Sequence, residues 1–403
     1  MCEAAPGPDA GPGPDGAAEG DAGADPDAAT PRCEAPGTLA LGAGIPTNLG
    51  GSIATVTDLD GDGMLELVSF SGNSPREVRV GTWSGAGLDG PGRQLVALPE
   101  LHEPLVGVEE NGMPVLIGST DGDPSSFVAI RYAPSGYESH EVRWFPMPGS
   151  AGWYRVTNGV NDFSGFTFAR LFESRSLWAK AGAGGSAPLY RFVVESDHVR
   201  GEQVDGPALF GADYEFFALL DGDVNADGVE DVLIFTRDTL WLGMSGPGGT
   251  WTRTASLAMS ECGAYSGHRL GLVADLDQDG DRDLVLALNC TMGSGGFLVA
   301  LTQDDGSHQF IHHGLVGEAL RAETAALGDL DGDCYPDLLL SDGRVARNDG
   351  TGRFLEPVLV SDEAVGGMAT LADLDSDGDL DVIWSQAQPE SDSSPIVQLN
   401  MLR

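Results

Sequence analysis

Short apolar runs alternate with loops of Asp, Gly and Pro along most of this chain, and five acidic loops set the rhythm: DLDGDGMLE from Asp58, DVNADGVED from Asp223, DLDQDGDRD from Asp275, DLDGDCYPD from Asp329 and DLDSDGDLD from Asp373. Each loop runs directly into an apolar segment, LVSF, VLIF, LVLAL, LLL and VIW in turn, and segments such as SIATVT and MATLA lead into them. Short apolar runs bounded by turn residues predict β-strands, so the unit is strand, tight acidic loop, strand.

The loops start 52 residues apart from 223 to 275, 54 from 275 to 329 and 44 from 329 to 373, whereas 165 residues separate 58 from 223. That gap holds three units, so two degenerate copies are expected inside it. GVEENGMPVLIGS from Gly107 keeps an Asn-Gly turn and a strand, and VNDFSGFTFARLF from Val160 keeps a Ser-Gly turn and a strand; neither has the carboxylates to hold a cation. Seven units of about 50 residues are what four-stranded propeller blades require. The expected fold is therefore all-β, a seven-bladed β-propeller with four-stranded blades over residues 37–403.

The two ends of the chain complete one another. After the Asp329 loop the turn RNDGTGRF leads to a strand expected near Phe354, 19 residues before Asp373; Phe310 stands 19 residues before Asp329, and Leu39 19 before Asp58. The last unit stops at IVQLNMLR, one strand short. Residues around 37–43 are expected to supply that strand, closing the ring by strand exchange between the N- and C-terminal segments and leaving no exposed edge there.

Composition sharpens this picture. The 58 glycines and 24 prolines in 403 residues favour many turns over long helices. No run approaches the roughly 20 apolar residues of a membrane span. With 62 acidic against 21 basic residues the net charge is −41, which excludes nucleic acid as a partner and makes cations the natural ones. Residues 1–36, nearly all Ala, Gly, Pro, Asp and Glu, carry too little apolar surface to offset ordering and read as a disordered tether. Cys2, directly after Met1, resembles the lipid-bearing residue of a bacterial lipoprotein, which implies an extracytoplasmic, secreted or cell-surface location. Cys33, Cys262, Cys290 and Cys334 form no C-x-x-C pair and suit disulfides; Cys262 and Cys290 flank one loop, Cys33 and Cys334 remain, and the connectivity stays open.

Alternate carboxylates around a Gly turn suit a hard divalent cation, which takes six to eight oxygen ligands. The expected ligands are Asp58, Asp60, Asp62, the carbonyl of Met64 and Glu66 in the first loop. Asp223, Asn225, Asp227, the Val229 carbonyl and Asp231 follow in the second, and Asp275, Asp277, Asp279, the Asp281 carbonyl and Asp283 in the third. The fourth offers Asp329, Asp331, Asp333, the Tyr335 carbonyl and Asp337; the fifth offers Asp373, Asp375, Asp377, the Asp379 carbonyl and Asp381. Four or five Ca²⁺ ions are expected. An EF-hand needs a bidentate Glu at position twelve, where these loops have Ser69, Ile234, Leu286, Leu340 and Trp384. In the fourth loop Cys334 replaces the usual Gly, which is expected to distort its turn.

The loops and the RNDGTGRF turn resemble FG-GAP and VCBS repeats, the blades of integrin-α-like propellers, across roughly residues 37–403. The resemblance implies that Ca²⁺ staples blade hairpins, so recognition belongs to another surface. None of His102, His140, His198, His268, His308, His312 and His313 stands in a metal-binding spacing, and no nucleophile elbow or phosphate loop appears. Trp144, Trp153, Tyr154 and Trp178 lie in the units without acidic loops, where a sugar- or peptide-binding face can form, against the plainer reading of blade-core packing. The expectation is a monomeric binding or adhesion scaffold for a protein or carbohydrate rather than an enzyme, with a polysaccharide-active lyase or hydrolase as the alternative.

Overall fold

A computed structural model describes residues 36–71, 77–89, 271–288, 325–363, 368–385 and 394–401 continuously, and elsewhere the individual strands named below. Twenty-seven strands and no helix occur among the described residues. In chain order, β1 (Ile45–Pro46) precedes a sheet of β2 (Ser52–Thr57), β3 (Glu66–Ser71), β4 (Glu77–Thr82) and β5 (Arg93–Ala97). The next sheet holds β6 (Val106–Glu110), β7 (Met113–Ser119), β8 (Phe127–Ala133) and β9 (Gly136–Val142); a three-stranded sheet of β10 (Ser176–Lys180), β11 (Leu189–Val194) and β12 (Val199–Val204) follows. Then come β13 (Leu219–Gly222), β14 (Asp231–Phe235), β15 (Thr239–Gly246) and β16 (Thr250–Ala258), and after them β17 (Gly271–Ala274), β18 (Asp283–Leu288), β19 (Gly296–Thr302) and β20 (His308–Gly314). The sixth sheet has β21 (Ala325–Gly328), β22 (Asp337–Leu340), β23 (Arg344–Ala346) and β24 (Val358–Leu359). The last has β25 (Met368–Ala372), β26 (Asp381–Ser385) and β27 (Ile396–Gln398), with β1 as its fourth member.

The molecule is thus all-β, built of small antiparallel meanders. First strands of neighbouring sheets lie side by side: β2 against β6 and β25, β21 against β25, and β17 against β21 and β13. Each acidic loop joins a first strand to a second, so the described loops sit at one end of their sheets. Between consecutive sheets lie the cores. Leu49, Ile53, Leu67 and Trp83 meet Leu374, Ile383 and Val397; Leu339 and Val345 meet Ala369, Val382 and Trp384; Leu276, Val285 and Val299 meet Ala325, Leu338 and Leu340. Both faces of a middle strand are covered, which is why LLL and VIW read as continuous apolar runs: β22 and β26 are buried throughout.

The end segments pair, with a shifted register. Leu41 bridges to Asn400, and β1 pairs with β27 through Ile45–Val397 and Pro46–Ile396, so the contact runs from about residue 40 to 47 rather than 37 to 43. Phe354 is not in a strand of the sheet; it bridges to Asn348 across the turn, buried, and the outer strand is β24. The Gly107 unit forms the first hairpin of its sheet, β6 with β7. Residues 1–35, with Cys2 and Cys33, the Asp223 loop up to residue 230, the segment 160–172, Trp144, Trp153, Tyr154, Cys262 and Cys290 lie outside the described residues.

Candidate metal centres

Each described loop winds around its own first carboxylate. Asp58 Oδ1 accepts from the N–H groups of Gly61 and Asp62 at 2.7 and 3.2 Å, and its Oδ2 from Gly63 at 2.9 Å. Asp329 repeats this with Gly332, Asp333 and Cys334, while Asp275 holds Gly280 and Asp373 holds Asp377 and Gly378. The fifth-position carboxylate closes a second small ring, accepting from position seven at 2.8–3.0 Å in all four loops. Two residues must enter the left-handed region for this path: position four (Gly61, Gln278, Gly332, Ser376; φ 60–80°) and position six (Gly63, Gly280, Cys334, Gly378; φ 71–96°). Position two is the anchor. Leu59, Leu276, Leu330 and Leu374 are all buried, so the D-L-D triplet turns one side chain into the core and the flanking carboxylates to the loop interior.

Carboxylates converge as a result. One oxygen from each of Asp58, Asp60 and Asp62 lies within 4.8 Å of the others, and the same holds for Asp275, Asp277 and Asp279, and for Asp329, Asp331 and Asp333. In the last loop the converging set is Asp373, Asp375 and Asp381, and Asp377 is not in it. Asp223, Asn225, Asp227 and Val229 are outside the described residues; Asp231 begins β14.

These donors fit a hard cation. Oδ1 of Asp275, Asp277, Asp331 and Asp375 is buried and accepts no hydrogen bond, although a buried carboxylate oxygen without a partner is costly. The third-position carboxyls, Asp60, Asp277, Asp331 and Asp375, are pushed above the usual range, first by burial and next by the adjacent fifth-position carboxylate. A bound divalent ion supplies positive charge and accepts these lone pairs, relieving both costs.

The ninth position also ties the loop to its sheet. Its carboxylate accepts from the position-two N–H of its own loop: Glu66 from Leu59 at 2.8 Å, Asp283 from Leu276 at 2.9, Asp337 from Leu330 at 3.3 and Asp381 from Leu374 at 2.9. The second oxygen of Asp283, Asp337 and Asp381 accepts from the main chain of Thr302, Asn348 and Asn400 at 2.7–2.9 Å. These groups tie loop to sheet and are almost wholly buried. Burial, only partly offset by those bonds, raises Glu66, Asp283 and Asp337 to about 7 and Asp381 to about 6.

The Asp329 loop differs from the rest. Arg347 pairs with Asp331 Oδ2 at 3.0 Å, the N–H of Gly37 donates to the Asp331 carbonyl at 2.7 Å, and Cys334 is disulfide-bonded. Its turn is not distorted as the Cys-for-Gly exchange suggests: Cys334 takes a φ of 71° and still donates to Asp329 Oδ2 at 2.7 Å. Sequence reasoning missed Asn348 and Asn400. RNDG reads as a local turn, and the amide bonds of these residues reach other sheets.

Residues 223–286 and 275–340 match the family model of the FG-GAP-like repeat. This part of the chain therefore consists of FG-GAP-like repeats, each match running from one acidic loop to the strand after the next. No curated protein sequence matches the chain. Among solved structures, BBS1N in complex with ARL6DN, soaked with lead, shares the fold at 11% identity and a TM-score of 0.52, over 91% of this chain and 98% of that one. A putative 6-phosphogluconolactonase from Bacteroides uniformis aligns at 12% identity with a TM-score of 0.45, over 76% and 85% of the two chains. The periplasmic gluconolactonase of Pseudomonas aeruginosa aligns at 14% and 0.43 over the same shares.

Proposed function

We propose that this chain is a seven-bladed β-propeller whose D-x-D-x-D-G loops bind Ca²⁺, and that it serves outside the cytoplasm as a scaffold presenting a protein- or carbohydrate-binding surface. The observation that carries the cation reading is the buried, unpartnered carboxylate oxygen beside a converging trio, clearest at Asp331, which is 2% exposed yet has an Oδ1 with no donor. An all-oxygen donor set with carboxylates at alternate positions suits Ca²⁺, which takes six to eight ligands, better than Mg²⁺, which demands tighter octahedral geometry.

Seven small sheets among the described residues, first strands side by side, and the pairing of β1 with β27 support a closed ring of blades. A disulfide at Cys334 supports an oxidising compartment, and hence a secreted or surface-attached protein. The acidic loops stabilise the ring, so recognition falls to the remaining loops and sheet edges, for which a net charge of −41 disfavours polyanions.

Thermal unfolding of the purified chain in excess Ca²⁺ and in EGTA, with bound calcium counted by elemental analysis, tests this reading. Four or five ions and a marked rise in Tm are expected, since each ion at 100 times its Kd adds about 2.7 kcal/mol. A protein without calcium and with equal Tm in both buffers would show the loops to be solvated turns.

A further inference from the structure

Two buried asparagines join the acidic loops of successive sheets. The main-chain N–H of Asn400 donates to Asp381 Oδ1 at 2.7 Å, and its Nδ2 donates to the carbonyl of Leu330 at 3.1 Å. Leu330 in turn donates its N–H to Asp337 Oδ2 at 3.3 Å. One sheet further on the pattern repeats: Asn348 N–H donates to Asp337 Oδ1 at 2.9 Å, its Nδ2 to the carbonyl of Leu276 at 2.8 Å, and Leu276 N–H to Asp283 Oδ2 at 2.9 Å. A continuous hydrogen-bonded line thus runs Asp381, Asn400, Leu330, Asp337, Asn348, Leu276, Asp283. Between the Asp275 and Asp329 loops there is a second, exposed link, from Gln278 Nε2 to the Cys334 carbonyl at 2.9 Å.

The line passes through the peptide on which cation binding acts most directly. Leu330 lies between Asp329 and Asp331, and Leu276 between Asp275 and Asp277, so drawing those carboxylates onto an ion fixes the intervening main chain. Without an ion the crowded carboxylates repel and the loop loosens. A fixed Leu330 carbonyl holds the Asn400 amide, and Asn400 holds the ninth-position carboxylate of the next loop. The ordering cost of one loop is then partly met by its neighbour.

We infer that Asn348 and Asn400 make the Asp275, Asp329 and Asp373 loops a coupled set that takes up its cations cooperatively. The inference rests on the calcium reading above. Each asparagine is a positioning residue, acting through the main chain of a neighbouring loop.

The test is a calorimetric Ca²⁺ titration of the chelator-stripped full chain, at an ionic strength that screens long-range repulsion, with bound calcium counted. Asp375→Asn should remove one ion and weaken binding at the Asp275 and Asp329 sites about five-fold or more, a coupling of ordinary size. In an Asn400→Ala background the same substitution should remove its ion and leave the other affinities unchanged. Unchanged affinities in Asp375→Asn alone would show independent sites and overturn the coupling, while leaving the calcium reading standing. Full coupling retained in Asn400→Ala would overturn the asparagine route. No calcium bound by the unaltered chain would remove the calcium reading itself. Should Asn400→Ala fail to fold, Asp375→Asn still decides whether the sites are coupled, and Asn348→Ala replaces it as the variant expected to confine the effect of Asp375→Asn to the Asp329 loop and spare the Asp275 loop.

Discussion

Trp384 donates its indole N–H to Gln398 Oε1 at 2.6 Å, which joins the middle strand of the last sheet to the strand that receives the N-terminal segment. The same oxygen accepts from Ser361 Oγ at 2.6 Å, and Gln398 Nε2 donates to the carbonyl of Gly42 at 3.1 Å. All three side chains are buried, so none has water to replace its partner.

Gln398→Ala is therefore expected to destabilise the chain by roughly 2–4 kcal/mol, since it strands the indole N–H and the Ser361 hydroxyl and releases Gly42. Urea unfolding gives the number. A loss under about 0.5 kcal/mol would mean that the seam between the chain ends contributes little.

The ninth- and third-position carboxylates should respond to substitution in opposite ways. Asp283 uses both oxygens on main-chain N–H groups of Leu276 and Thr302, so an Asn there points an amide N–H at another donor. Asp283→Asn should cost about 2–3 kcal/mol in EGTA and in calcium alike. Asp277 has a buried oxygen without a donor and a carboxyl raised by burial and Asp279; Asp277→Asn should be neutral or stabilising in EGTA and destabilising in calcium. Melting each variant in both buffers checks the pair. A calcium-independent loss at Asp277 would make it a structural group like Asp283.

What the sequence made legible follows from which forces are local. SIATVT and MATLA coincide with β2 and β25 because apolar runs bounded by turn residues are a property of the segment itself. The acidic turns were readable because Gly at position six meets a positive φ that few other residues accept. The reach of Asn348 was not. Its Oδ1 does make the local turn that RNDG suggests, accepting from Gly350 at 3.0 Å, but its Nδ2 bonds a carbonyl 72 residues away. The anchoring role of Leu330 was hidden for the same reason, since its core cluster includes Ala369, Val382 and Trp384 of the next sheet. The register of residues 40–47 was missed by a few positions because β27 sets it, and GTLALGAGIP carries no alternation of its own.

The pH dependence of the metal-free chain should have an unusual sign. Glu66, Asp283 and Asp337 are raised by burial to about 7 and Asp381 to about 6, whereas in the unfolded chain they titrate near 4. Between those values the folded state binds more protons, so its stability falls as pH rises, and the contribution present below pH ~4 is gone above pH ~7. In EGTA the Tm should be higher at pH 5 than at pH 8. With calcium the order should reverse, because protons compete with the ion for carboxylates. Relief of the overall charge of −41 acts in the same direction as the first effect; Asp337→Asn separates the two by flattening the step between pH 5 and 8. A metal-free Tm that rises steadily from pH 5 to pH 8 would contradict the burial of these groups.

Cys334 combines an unfavourable backbone with a covalent tie. Its φ of 71° lies in the left-handed region that Gly63, Gly280 and Gly378 occupy (86–96°) at the same position of the other described loops, and a side chain there costs about 1 kcal/mol. The disulfide offsets that cost by restricting the unfolded chain, typically by 2–4 kcal/mol. Cys334→Gly should accordingly be less stable than the unaltered chain under oxidising conditions. In excess dithiothreitol, where any disulfide is lost from both proteins, it should be more stable by about 1 kcal/mol. Urea midpoints measured for the two proteins with and without reductant decide it. An unchanged order would mean that the left-handed conformation at Cys334 carries no penalty, and that the disulfide alone distinguishes this loop from its neighbours.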